Sequence, residues 1–78
     1  MESIRFITDG KRHLVCVPYS IENLHKMAKI LGINRRWFHS GKNPHYDIPI
    51  RRIKEIESMC EKVASKDLVS IINSGELF

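Results

Sequence analysis

The run Leu14-Val15-Cys16-Val17 constrains this 78-residue chain more than any other feature. Successive side chains of a strand point to opposite faces, so an unbroken apolar run means a strand covered on both sides. His13 to Tyr19 is therefore expected as a strand, with Pro18, which lacks an N–H, near its end. Ile4 to Thr8 reads as a strand before it, joined through Asp9-Gly10, a turn pair in which glycine accepts positive φ.

Downstream the period changes. Leu24, Met27, Ala28 and Leu31 recur at helical spacing, and Ser20 stands where an N-cap belongs. Gly32 is placed for the left-handed position that ends a helix, so Ile21 to Leu31 is expected as a helix. Arg35 to His39 is short and aromatic and reads as a third strand; Ser40 to Pro44 is a loop by composition. Ile50, Ile53, Ile56, Cys60 and Val63 share one stripe, which predicts a second helix of about four turns, with Asp47 either capping it or orienting His45. Ser65 is placed to cap a third short helix ending near Gly75, with Leu68, Ile71 and Ile72 inward; a strand at Leu68 to Ile72 is the alternative. The expected fold is one α+β domain over residues 1–78, a small three-stranded sheet with two or three helices on one face. The other sheet face then needs a cover, for which a second copy of the chain, and hence a homo-oligomer, is expected.

Charge narrows the function. The formal charge is +4, yet Arg35 to Lys54 holds six cations and one acid, and the rest of the chain seven cations and eight acids. Trp37, His39, His45 and Tyr46 lie in the same segment. Guanidinium forks suit phosphate and aromatic faces suit nucleobases. The expected activity is non-catalytic binding of an anionic, phosphorylated nucleotide-like small molecule, with Arg35, Arg36, His39, Lys42, His45, Tyr46 and Arg51 as ligand-binding residues. Trp37 and Phe38 are expected to pack in the core. A small phosphodiesterase or nuclease using a metal with His39, His45 and Asp47 is one rival; a protein-interaction module that inhibits a host factor is another. The His-x5-His-x-Asp spacing matches no established ligand pattern, so no metal and no cofactor are expected. His13 is read as a surface residue at the turn end.

Other classes are disfavoured. No glycine-rich phosphate loop or Ser-His-Asp motif is present. About fifteen residues separate the first two helices, too many for a helix-turn-helix, so nucleic acid is a less favoured partner. Cys16 and Cys60 form no Cys-x-x-Cys pair and are expected as buried free thiols. No apolar stretch approaches the ~20 residues of a membrane span, so a cytoplasmic protein without a membrane partner is expected.

Asn23 to Ala28, Leu31-Gly32-Ile33, Arg35-Arg36-Trp37-Phe38 and His45-Tyr46-Asp47 together resemble a small bacterial and phage family of domains of unknown function, family 4031. Its pattern is a helix followed by glycine, an RRWF segment and a closing HYD. The resemblance implies a prokaryotic or phage source and a phage-infected or bacterial host cell, but no reaction. By analogy of size and charge alone, a phage protein that sequesters a nucleotide immune signal is one form the expected binding takes.

Overall fold

The computed structural model describes residues 4–76. Strands β1 (Arg5–Thr8) and β2 (His13–Val17) form the expected hairpin, with Ile7 opposite Val15 and Thr8 opposite Leu14. Gly10 turns the chain at φ 78°, and Asp9 Oδ1 accepts from the Lys11 N–H at 2.9 Å.

The sheet is larger than the sequence reading predicts. Only Phe38–His39 of the third expected strand is extended (β3); Arg35–Trp37 forms a 3-10 turn. Asn34 causes this, because its side chain accepts from the Arg36 N–H at 2.9 Å and starts a turn there. His45–Asp47 returns as β4, antiparallel to both β3 and β2. Glu61–Lys62 adds a parallel strand, β5, beside β1. The result is a mixed five-stranded sheet, β3-β4-β2-β1-β5, in place of the expected three strands.

Its three helices lie on both faces, not one. Helix α1 (Ile21–Leu31) packs on the Leu14–Tyr46 face, where the His25 ring meets Tyr46 edge-on at 5.7 Å. Helix α2 is a short segment, Ile53–Glu57. Helix α3 (Ser65–Glu76) covers the opposite face, the side of His13 and Val15, with Leu68 and Ile72 buried. Leu14, Val15 and Cys16 are accordingly all fully buried. The apolar run is covered on both sides, as its pattern predicts; the second cover comes from α3 of the same chain, so the run does not by itself call for a second copy. A strand at Leu68 to Ile72 is excluded.

Helix α1 has the expected ends. Ser20 Oγ accepts from the Asn23 N–H at 3.0 Å, and Gly32 takes φ 72° while its N–H bonds back into the last turn. Ser20→Ala leaves that first-turn donor without its side-chain acceptor. It should lower stability by about 1 kcal/mol in urea denaturation, with an unchanged slope.

The second helix departs most from expectation. A 3-10 turn at Ile50–Arg52 leads into α2, and the chain leaves helix after Glu57. Ile50 is 69 % exposed, so it is outside the core stripe. Asp47 does not cap this segment; Pro49 precedes the 3-10 turn and Arg52 precedes α2, neither with a side-chain capping bond. After Glu57, three-residue backbone bonds at Met59 and Cys60 tighten the chain before it extends into β5. Competing pairing explains the early end. Arg5 forks onto Glu61 at 2.7 and 2.5 Å, and the Val63 N–H bonds Thr8 O at 2.9 Å. A helix of four turns forfeits both. The Arg5 fork also holds the Glu61 carboxyl below its ordinary range.

Cys16 is buried and Cys60 half-buried, both as free thiols. Burial pushes each up to about 11, which makes them poor nucleophiles at neutral pH.

Candidate functional site

Strand register gathers five ionisable side chains at one end of the sheet. His39 stands opposite His45, and Asp47 opposite His13. The His39 and His45 rings stack with centroids 5.1 Å apart and 11° between planes; His13 meets His45 edge-on at 5.2 Å. Asp47 receives two of these imidazoles. His39 Nε2 lies 2.8 Å from Oδ2, and His45 Nε2 lies 3.3 Å from Oδ1.

Asp9 anchors the third. Its Oδ2 is 2.7 Å from His13 Nδ1 and accepts from Ser65 Oγ at 3.3 Å, which ties the hairpin turn to the start of α3. The Asp9 side chain is only 2 % exposed. Burial alone raises its pKa, but the bonds from His13 and from the Lys11 N–H outweigh burial and hold it below the ordinary carboxylate range. His45 Nδ1 is fixed by Asn43 O at 2.8 Å. A pocket of about 350 Å³ opens beside these groups, with His13, His45 and Lys11 on one side and Leu68, Val69 and Ile72 of α3 on the other. His13, His45 and Asp47 each offer one ligand atom, and the three atoms lie within 4.8 Å of one another.

The opposite sheet face carries a structural chain. Tyr46 is 1 % exposed, and its hydroxyl lies 2.7 Å from His25 Nδ1. Arg35 Nη2 lies 3.3 Å from His25 Nε2. A guanidinium only donates, so Nε2 accepts and Nδ1 carries the proton that goes to Tyr46. That tautomer suits the lowered pKa of His25, which follows from burial and from the Arg35 charge. Burial raises the Tyr46 phenol.

A third group surrounds Trp37. The Arg36 and Arg12 guanidiniums lie 5.4 and 5.8 Å from its ring centre. Arg36, Trp37, Ile50, Arg51 and Arg52 line a shallow groove of about 420 Å³. Arg52 is fixed by Glu55 at 2.9 and 3.1 Å and by Gly32 O at 2.9 Å. Among the described residues, neither Arg36 nor Arg51 pairs with a carboxylate.

The seven residues singled out from sequence thus fall in separate places. Arg36 and Arg51 share the groove. His39 and His45 share the Asp47 cluster. Arg35 and Tyr46 meet His25, and Lys42 sits on the exposed loop 40–44. Sequence reasoning missed Asp9, Arg12, His13 and Arg52. For His13 and Asp9 the signal is slight, because strand pairing, not spacing along the chain, brings them to His45 and Asp47. Trp37 only half-joins the core and keeps a face for cations.

A mixed sheet between helices, with a His–Asp cluster at one end and an arginine–tryptophan groove, defines a small α+β domain. The chain belongs to the family described as Protein of unknown function (DUF4031), whose model matches residues 7–74. No curated protein and no solved structure matches it. Among the described residues, no helix is long and apolar enough to cross a membrane.

Proposed function

We propose that the protein binds a phosphorylated, nucleotide-like small molecule in the groove around Trp37, without chemistry on it there. One observation carries the reading: an indole flanked by guanidiniums, of which Arg36 and Arg51 have no carboxylate partner among the described residues. Base stacking on such a ring is worth about 1–3 kcal/mol. Arg36 and Arg51 supply forked donors for phosphate, and Arg52, held by Glu55, adds fixed positive charge. Arg35 is engaged by His25, so its part in phosphate binding is secondary.

Titration calorimetry against linear and cyclic nucleotides tests this. The expected result is binding that weakens with salt and quenches Trp37 fluorescence. Arg36→Glu with Arg51→Glu should weaken it by about tenfold or more, equivalent to ~1.4 kcal/mol. No heat from any nucleotide overturns the reading.

A second reading, a small metal-dependent phosphodiesterase or nuclease using His39, His45 and Asp47, is favoured by the contact of both imidazoles with that carboxylate. Recovery of the nucleotide after incubation with protein and divalent metal separates the two. Intact ligand means binding, and cleaved product means catalysis.

A further inference from the structure

We propose that His13, His45 and Asp47 form a three-ligand site for a divalent cation of the zinc class, with Asp9, Asn43 and His39 orienting the ligands. This site is separate from the Trp37 groove and does not depend on nucleotide binding.

Proton placement is the first support. Asn43 O is a carbonyl and only accepts, so His45 Nδ1 must carry a proton. Asp9 is a buried carboxylate, so His13 Nδ1 donates to it in the same way. With Nδ1 engaged in this way, Nε2 is the ring nitrogen that each histidine has left to offer a metal ion. An outer carboxylate or carbonyl on the other ring nitrogen is the usual companion of a metal-binding histidine.

Spacing is the second. His45 Nε2 and Asp47 Oδ1 stand 3.3 Å apart. A metal ion seated between these two atoms takes the place of any proton on Nε2. Zinc bonds of about 2.0–2.2 Å at a tetrahedral angle set neighbouring ligand atoms roughly 3.3–3.6 Å apart. His39 lies against the other carboxylate oxygen at 2.8 Å, which leaves Oδ1 for the ion. His13 completes the set within 4.8 Å. Its side chain is 48 % exposed and lines the pocket.

Two imidazoles and one carboxylate leave a coordination position open. His13 and His45 both line the pocket of about 350 Å³, whose other wall is Leu68, Val69 and Ile72. The ligand class this suits is an anionic oxygen donor with an apolar body, its charge shared with Lys11 at the pocket.

The test uses the whole chain with Zn²⁺ alone in calorimetry and Co²⁺ alone in visible absorption. One ion per chain and the strong absorption of low-coordinate Co²⁺ are expected. His45→Ala and Asp47→Asn should each weaken binding at least ~100-fold, and Asp9→Asn about 10-fold, since outer partners typically contribute 10–100-fold. Circular dichroism checks folding, and the isosteric Asp47→Asn keeps the test decisive should an alanine variant unfold. No binding by the native chain, or unchanged binding in a folded Asp47→Asn, overturns the proposal. Arg36→Glu with Arg51→Glu should leave metal affinity unchanged, so the two sites can fail separately.

Discussion

Leu14→Ala should cost about 2–5 kcal/mol of unfolding free energy, read from urea denaturation. Leu14 is fully buried in β2, the middle strand of the sheet. Thr8 and Tyr46 stand opposite it on the two flanking strands, so its side chain sits between neighbours that cannot easily collapse inward. Small domains have total stabilities toward the low end of roughly 5–15 kcal/mol, so this one truncation removes a large share. The effect reaches the His–Asp cluster, because β2 holds the register that sets His13 opposite Asp47. A loss below about 1 kcal/mol would show that β2 is not the structural centre.

Asp9→Ala should cost about 1–3 kcal/mol at pH 7, since it strips the acceptor from the Lys11 N–H, His13 and Ser65. The cost should depend on pH in one direction. The folded-state pKa of Asp9 lies below its ordinary value, which is about 3.9 in an unfolded chain. Its ionised form therefore contributes stability that is present above that value and is lost as pH falls through the folded-state pKa. Urea melts at pH 7 and pH 3 check this. The gap between native chain and variant should narrow at the lower pH; an equal gap at both would mean that Asp9 acts by shape and not by charge.

How much the sequence revealed depended on whether a signal was local. Helix α1 was legible to its ends because Ser20 and Gly32 are caps whose bonds lie within the helix. The cover on both faces of β2 was legible from four consecutive apolar residues. Strand β4 was not, because His45-Tyr46-Asp47 has a single buried side chain and stands between Pro44 and the Pro49 turn. The end of α2 was hidden for a different reason. Ile53 and Ile56 do keep helical spacing, but Arg5 and Thr8, more than fifty residues earlier, capture Glu61 and Val63 for the sheet. The site divides in the same way. His39, His45 and Asp47 lie within nine residues and were singled out together. Asp9 and His13 reach them only through the β2–β4 pairing.

The two outermost strands, β3 and β5, are only two residues long, and both carry polar or charged side chains: His39 on one, Glu61 and Lys62 on the other. A long, flat, apolar border would be a template on which other chains could add strand by strand. Here each of these two strands offers little more than one rung, and the Arg5–Glu61 fork ties the second to its neighbour β1. The protein should therefore resist edge-to-edge aggregation even at high concentration. An assembly built by extending the sheet from β3 or β5 would gain few backbone bonds, which favours helix surfaces or the two polar sites as contacts.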